Sequence, residues 1–162
     1  MKKIAALLAL LLICCALFCG CGASDPLIAC SFGGEHDLFT VSNGVIGLCS
    51  TDDVFYGGIL TPKQAVFSDT AAYSATFFVQ DGDQQHTILS MHAENTTGTP
   101  LFVGGDLGKV ITEQLLCGED ADAAALLKNG LFFELTVTDR AGGSAVYLLQ
   151  MSVTEVTETT QP

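Results

Sequence analysis

Two stretches near the end of the chain alternate apolar and polar residues with the period of a half-buried β-strand. The first covers residues 131–138, in which every odd-numbered residue is apolar. The second covers residues 145–154, whose odd-numbered residues are Ala, Tyr, Leu, Met and Val. The loop between them, residues 139–144, contains Asp and two glycines, which are typical of turns. We predict that the two stretches pair as an antiparallel hairpin.

A second hairpin is predicted from residues 73–80 and 86–93, which flank the turn sequence Asp81-Gly82-Asp83. Shorter strands are predicted between further turn signals. These strands are residues 38–41, 45–49 and 101–103, and the signals include Asn43-Gly44, Gly57-Gly58 and Gly104-Gly105.

One helix is predicted near residues 120–129. Asp120 is a suitable N-cap, and residues 123–127 are strong helix formers. Lys128 lies at the negative end of the helix dipole, and Asn129-Gly130 supplies a left-handed stop.

Two other segments are less regular. Thr61-Pro62 predicts a second, short helix that ends at Phe67, and residues 107–116 fit a helix or a strand equally well. Hairpins dominate, and no strand–helix–strand repeat is present. We therefore predict a mainly β or α+β fold, with an antiparallel sheet or sandwich built from hairpins and one short helix.

The N-terminus carries a different pattern. Lys2 and Lys3 precede residues 4–18, an uncharged and almost purely apolar run of 15 residues. A membrane-spanning helix needs about 20 such residues, so the run matches the core of a secretory signal peptide instead. The run ends in the sequence Leu17-Phe18-Cys19-Gly20-Cys21.

This ending resembles the signal of bacterial lipoproteins, in which a small residue, here Gly20, precedes the cysteine that is lipidated. The resemblance implies cleavage after Gly20, a diacylglyceryl thioether on Cys21 and acylation of the new amino group. Fatty chains such as palmitate would then anchor the domain firmly. The implied location is the extracytoplasmic face of the bacterial cell membrane.

The chain therefore divides into four segments. They are a signal peptide at residues 1–20, a lipidated cysteine and short tether at residues 21–26, a single β-rich domain at residues 27–153, and a flexible acidic, Thr-rich tail at residues 154–162.

The mature chain is strongly acidic. The only charged residues of the signal are Lys2 and Lys3, so its removal changes the formal net charge from −12 to −14. The four remaining cations are scattered singly, whereas a nucleic-acid-binding surface needs clustered Lys and Arg. Nucleic acid is therefore excluded as a partner.

Few residues form a pattern that implies chemistry. Glu35, His36 and Asp37 could offer donors to a divalent ion, but three consecutive residues rarely point to one centre. His86 and His92 share one predicted strand at a spacing of roughly 20 Å, which is too far for one metal ion.

Two turn-like segments also fall short of known sites. Asp81-Gly82-Asp83 lacks the later ligands of a calcium loop, and residues 104–110 lack the length and the hydroxyl of a phosphate-binding loop. We predict no catalytic residue, no metal site and no cofactor.

Three cysteines follow the lipidation site, Cys30, Cys49 and Cys117. Export makes a disulfide possible, and a Cys30–Cys49 bond would close a short loop and join the N-terminal strands. Cys117 fits better as a buried, small apolar residue. The alternative is that all three thiols stay reduced.

The favoured hypothesis is a membrane-anchored, non-enzymatic module that binds a protein partner or serves the envelope structurally. Its contacts would be loops, a sheet edge or a sheet face that bears Phe78 or Phe132. The first alternative is a small solute- or cation-binding lipoprotein that serves a transporter or sensor, with Asp52, Asp53 and Glu35 as cation ligands. A small hydrolase ranks third, because it needs a pocket that joins a histidine to carboxylates.

Overall fold

The computed structural model describes residues 28–63, 65–116 and 120–156. Within these ranges the chain forms eleven strands, one α-helix and one 3₁₀ turn. In chain order they are β1 (Ile28–Glu35), β2 (Phe39–Leu48), β3 (Asp53–Tyr56), β4 (Ile59–Pro62), the 3₁₀ turn (Ala65–Phe67), β5 (Thr70–Asp81), β6 (Gln84–Glu94), β7 (Gly105–Asp106), β8 (Lys109–Thr112), α1 (Asp120–Gly130), β9 (Leu131–Asp139), β10 (Ser144–Gln150) and β11 (Ser152–Glu155).

The strands form two antiparallel sheets. Sheet A has the order β11-β1-β2-β3-β8, and β4 and β7 extend it beside β2. Sheet B has the order β10-β9-β5-β6. Aromatic rings join their inner faces, because the ring centroid of Phe32 lies 5.6 Å from that of Phe77 and that of Phe39 lies 5.9 Å from that of Phe133. The mainly β prediction is confirmed, and of its two forms the chain adopts the sandwich.

Both predicted hairpins are present. β9 pairs with β10, and β5 pairs with β6 across the two-residue turn Gly82-Asp83. In β9 the buried residues are Leu131, Phe133, Leu135 and Val137, which face sheet A. The period of two in the sequence therefore reflects the burial of one face of sheet B.

β2 changes phase halfway along its length. Its buried apolar residues are Phe39 and Val41 before the change and Ile46 and Leu48 after it. At the change Asn43 takes a left-handed φ of 60°. β3 and β4 pair with the two halves of β2 in one continuous register. They therefore act as a single strand that is interrupted at Gly57-Gly58 and changes phase together with β2.

This kink corrects the prediction of separate strands at residues 38–41 and 45–49. Asn43-Gly44 does not reverse the chain, because its left-handed residue lies opposite Gly58, whose φ is 79°. Two aligned left-handed residues shift both strands together and preserve their pairing. A Cβ on Gly58 would lie 2.2 Å from the carbonyl oxygen of Ser42, so glycine is required at this position.

The predicted helix is confirmed as α1, which packs against β5 and β11. Its buried residues include Ala123, Ala124 and Leu127. Because they lie at i, i+1 and i+4, one side of the helix completes the core next to the two sheets.

The chain crosses from sheet B to sheet A at Met151, so residues 145–154 form parts of two strands rather than the single strand predicted from the sequence. β10 ends at Gln150, and β11 then pairs with β1, where Glu155 lies opposite Cys30. The Glu155 carboxylate also accepts a hydrogen bond of 2.5 Å from Lys128 of α1. Strand pairing thus extends two residues into the segment predicted as a tail, while residues 157–162 lie outside the described ranges.

Three smaller predictions differ from the structure. Residues 101–103 form a loop rather than a strand, and the second short helix is reduced to the 3₁₀ turn because Pro62 ends β4. The ambiguous segment at residues 107–116 contains the strand β8. Of the helices in the described ranges, none has the length and apolar character needed to cross a membrane.

Candidate binding cleft at one end of the sandwich

The connection from β4 to β5 forms one wall of a cleft. Ala65–Phe67 is a 3₁₀ turn that closes with a hydrogen bond of 3.0 Å from Ser68 N–H to the Ala65 carbonyl. Thr70 is buried, and its hydroxyl donates to the Phe67 carbonyl at 2.8 Å. These bonds hold the Phe67 ring against the end of the core.

The loop from β6 to β7 forms the opposite wall. Leu101 N–H donates to the Thr70 carbonyl at 2.8 Å, which ties the loop to the start of β5. Val103 is buried and Leu101 is half-buried against the core, so the residue between them points outward. Phe102 is consequently 71% exposed, the highest value among the exposed large apolar residues of the described chain.

The two walls enclose an open cleft of about 330 Å³. Most of its lining side chains are apolar. The lining residues are Pro62, Ala65, Phe67, Ser68, Pro100, Leu101, Phe102 and Val103. We call this feature the end cleft.

A second, more polar cleft of about 260 Å³ lies on the other side of Phe67. Its lining includes Val66, Asp69, Asp139 and Tyr147, and Val66 is 48% exposed. The Tyr147 ring meets the Phe67 ring edge-on, with centroids 5.9 Å apart. Phe67 therefore separates two depressions on the same end of the molecule.

Ion pairs lie close to both depressions. Lys63, which follows Pro62, donates to Glu35 at 2.6 Å, and this bond lowers the pKa of the Glu35 carboxyl. Arg140 pairs with Asp69, and its backbone N–H also bonds to the Asp69 carbonyl at 3.1 Å. The cations nearest the clefts are thus neutralised by partners, while the chain as a whole stays strongly acidic.

In the candidate metal loop, Asp37 is exposed, and the other two residues have separate partners. Glu35 binds Lys63, whereas the His36 ring stacks on Phe39 with centroids 4.8 Å apart. His36 Nδ1 also accepts the Leu38 N–H at 3.2 Å. His36 therefore packs as an aromatic residue at the edge of the core.

The proposed carboxylate cluster is not formed. Asp53 is buried, and its two oxygens accept the backbone N–H groups of Cys49 and Leu115 at 3.1 and 2.7 Å. Asp52 is exposed, and Glu35 lies in the ion pair with Lys63. No group of three or more metal-ligating side chains occurs within the described ranges.

His86 and His92 occupy different surroundings on β6. His92 lies opposite Ser74 and reaches Glu94 at 4.0 Å on an exposed surface. His86 lines a cleft of about 280 Å³ together with Asp81, Gln84, Leu116 and Leu126. His86 and Asp81 form no hydrogen bond or ion pair with each other, and the lining residues within the described ranges include neither Ser nor Cys. The described lining residues of this cleft therefore do not form a nucleophile–histidine–carboxylate arrangement.

The turn segments have structural roles. Asp81 pairs with Gln84 at the end of the β5–β6 hairpin, as expected for a turn. Residues 104–110 contain β7 and the first two residues of β8, which pair with β4 and β3 in sheet A.

Phe78 and Phe132 lie side by side on the outer face of sheet B. Their rings stack with centroids 5.6 Å apart. Phe78 is only 6% exposed, and Phe132 is half-buried, so this pair offers little apolar surface. The exposed apolar residues of this face are Val146 and Leu148 on β10.

Of the two alternatives for Cys30 and Cys49, the structure has the reduced one, in which both are free thiols. Cys30 lies opposite Ile46 with its side chain in the core, whereas Cys49 follows the end of β2. Burial raises the pKa of the Cys30 thiol, while a hydrogen bond from Thr51 lowers that of Cys49. Cys21 and Cys117 lie outside the described residues.

Protein-family models, curated proteins and solved structures were compared with the chain, and none of them matches it.

The end cleft escaped prediction from the sequence. Pro100-Leu101-Phe102-Val103 resembles any short apolar segment, and the pattern predicts a strand there. Which of these side chains faces outward depends on the bond from Leu101 to Thr70, a residue 31 positions away in the chain. The available signal was the proline on each side of the cleft, Pro62 and Pro100, because proline limits strand pairing.

Proposed function

We propose that the chain is a membrane-anchored, extracytoplasmic interaction module that binds a segment of a protein partner at the end cleft. The observation that carries this proposal is Phe102, an aromatic side chain that is 71% exposed at the rim of an apolar cleft of about 330 Å³. Single exposed apolar residues are common, but an exposed aromatic residue next to an apolar depression is typical of a binding surface. Aromatic anchors of this kind often dominate binding energy.

The charge of the chain supports a particular kind of partner. With 18 acidic and 6 basic residues, the chain favours a cationic ligand over an anionic one. The preferred ligand is therefore an extended peptide with one or two large apolar residues for the cleft and flanking Lys or Arg. The cationic residues would speed association, and the apolar residues would supply most of the affinity.

The location follows from the N-terminal resemblance. Cleavage after Gly20 and lipidation of Cys21 would place residues 22–162 outside the cytoplasm, tethered to the membrane. The distance from Cys21 to the start of β1 at Ile28 is short, so the partner would lie within or close to the envelope.

A second candidate function is the binding of a small apolar solute. The end cleft has a volume at the lower limit of that typical for small-molecule sites, about 300–1,000 Å³, and its lining is mostly apolar. The solute would be delivered to a transporter or sensor. The cation-binding version of this hypothesis has no support from the positions of Glu35, Asp52 and Asp53.

The test is selection of a phage-displayed random peptide library on residues 22–162. We expect enriched peptides to combine large apolar residues with Lys or Arg, and we expect Phe102→Ala to weaken their binding at least tenfold. Ile111→Ala is the matched control, because Ile111 is 56% exposed on β8, away from the cleft. Peptides that bind the Phe102→Ala variant as well as the parent chain would contradict the proposal. A thermal shift with an apolar solute, in the absence of any peptide enrichment, would support the second candidate.

A further inference from the structure

The edge strand β10 leaves its outer backbone groups without a strand partner among the described residues, because sheet B has the order β10-β9-β5-β6. Two backbone hydrogen bonds at the ends of the β9–β10 pairing show which residues of β10 these are. Asp139 N–H donates to the Gly143 carbonyl and Met151 N–H donates to the Leu131 carbonyl, both at 2.9 Å. In an antiparallel ladder, every second residue exchanges hydrogen bonds with the residue opposite it, and we call two such residues a narrow pair. Gly143 and Met151 both bond to β9, so the odd-numbered residues between them do so as well. The even-numbered residues direct their N–H and C=O groups to the free edge.

The same even-numbered residues carry the exposed apolar side chains. Val146 is 60% exposed and Leu148 is 55% exposed, on the outer face of sheet B. The inward residues Tyr147 and Leu149 pack against the core. The free edge of β10 thus presents unpaired backbone groups beside two aliphatic side chains.

The other edges of the two sheets are protected in familiar ways. β6, the opposite edge of sheet B, contains a bulge at the level of Phe77/Phe78 and carries His92 and Glu94. β11 and β8 are four residues long, and they carry Glu155 and Lys109 respectively. β10 has seven residues, Ser-Ala-Val-Tyr-Leu-Leu-Gln, with no charge, no proline and no bulge in its pairing with β9.

We propose that β10 pairs with β10 of a second copy of this chain, antiparallel and about a two-fold axis at Tyr147. This register places Val146 opposite Leu148 of the partner, and Ser144 opposite Gln150. All four even-numbered residues then exchange backbone hydrogen bonds, about eight in total. The two sheets B become one continuous sheet of eight strands across the axis.

The composition of β10 favours a second copy over a different protein. Self-pairing of a strand places like residues near each other, and β10 has no charged residue to repel its own copy. The nearest outward charge is Glu134 on β9, opposite Leu148. In the dimer the two Glu134 residues lie three strand spacings apart, roughly 14 Å, which exceeds the screening length of about 8 Å at physiological salt.

The net charge of the chain determines how dimerisation depends on salt concentration. Two chains of strong negative charge repel each other at long range, so the dimer is weak and forms more readily as salt increases. Pairing with a cationic strand of another protein would show the opposite dependence. This inference is independent of the end cleft, which lies outside β10.

The test is sedimentation velocity of residues 22–162, which contain every described residue, over a series of protein and NaCl concentrations. We expect a monomer–dimer equilibrium in which the dimer fraction rises with the protein concentration and with the NaCl concentration. Val146→Lys introduces the charge that usually protects edge strands, and we expect it to raise the dissociation constant at least tenfold. Val45→Lys is the matched control, because Val45 is 47% exposed on the central strand β2.

A crosslinking experiment tests the register. Val146→Cys chains are mixed with Leu148→Cys chains, both in a Cys49→Ser background. In the proposed register these two cysteines lie opposite each other, and the Cα atoms of such a hydrogen-bonded pair are about 5.5 Å apart, which allows a disulfide. We expect mixed disulfide dimers in excess over either self-linked dimer. A chain that stays monomeric at every concentration, or a Val146→Lys variant that dimerises like the parent, would overturn the proposal. Equal yields of mixed and self-linked dimers would overturn the register.

Discussion

At the scale of single residues, the most informative position is Asp53, a carboxylate that the sequence suggests as a cation ligand. The structure gives it a different role, because its oxygens accept two backbone N–H groups from segments on either side of β3. One bond holds Cys49 after β2, and the other holds Leu115 after β8. Since Asp53 is only 4% exposed, water cannot replace these bonds if they are lost.

We expect Asp53→Asn to lower the free energy of unfolding by about 2–3 kcal/mol. The NH₂ group of asparagine would face a backbone N–H, and because it cannot accept a hydrogen bond, that N–H would be left unsatisfied. Urea denaturation measures this change. Asp52→Asn is the control, because Asp52 is exposed, and its effect should stay within about 0.5 kcal/mol. Equal effects of the two variants would show that the bonds of Asp53 are unimportant.

The two described cysteines should differ in reactivity. A hydrogen bond from Thr51 lowers the pKa of the half-buried Cys49 thiol, whereas burial raises the pKa of the Cys30 thiol. Near pH 8 a larger fraction of Cys49 than of Cys30 is therefore in the thiolate form, which is the form that reacts with iodoacetamide. We expect peptide mass mapping of the folded chain, without reductant, to find Cys49 modified well before Cys30. If both stayed unmodified until a reductant was added, a disulfide between Cys30 and Cys49 would be supported instead.

At the scale of elements, the sequence predicts the hairpins and α1 well because each depends on local pattern. The odd-numbered residues of β9 are buried as a set, and the helix ends at Gly130, close to the predicted end. The predicted left-handed stop is wrong, because neither Asn129 nor Gly130 has a positive φ. The sequence fails at Asn43-Gly44, where the same two residues that favour a turn lie inside β2. Whether such a pair turns or kinks the chain depends on its partner strand, and a distant Gly58 opposite Asn43 decides it here.

The kink gives a test with an internal control. Gly58→Ala should lower the free energy of unfolding by about 3 kcal/mol or more, since its φ of 79° is unfavourable for alanine and its Cβ would clash with the Ser42 carbonyl. Gly82 also has a positive φ, 55°, but a Cβ there meets nothing within 4 Å. We expect Gly82→Ala to cost only about 1 kcal/mol, measured by urea denaturation. Similar costs at the two positions would argue against the aligned kink.

At the scale of the whole molecule, the predicted location and the observed cleft depend on different kinds of information. The prediction of an exported, lipid-anchored chain rests on Lys2, Lys3, the apolar run after them and Cys21, which lie close together in the sequence. The end cleft joins residues 62–68 to residues 100–103, and only the folded sandwich brings these segments together. The exposed fraction of Phe102 results from that long-range packing, so no local pattern could have identified it.

The anchor makes a separate prediction. Cys21→Ala should abolish incorporation of labelled palmitate in bacteria that produce the chain, and should reduce its share in the membrane fraction. Cys19→Ala is the matched control, because Cys19 lies two residues away but follows the bulky Phe18, and it should keep both the label and the membrane association. Label retained by the Cys21→Ala variant would contradict the assignment of the lipidation site.

The most direct test of the central claim is photo-crosslinking in cells that produce the chain naturally, with benzoylphenylalanine in place of Phe102. We predict a light-dependent adduct of discrete size with one envelope protein, and we predict that Cys21→Ala reduces its yield. The same amino acid in place of Ile111, on β8, should give no such adduct. The absence of an adduct from position 102, or the same adduct from both positions, would contradict the claim that this anchored domain binds its partner through the end cleft.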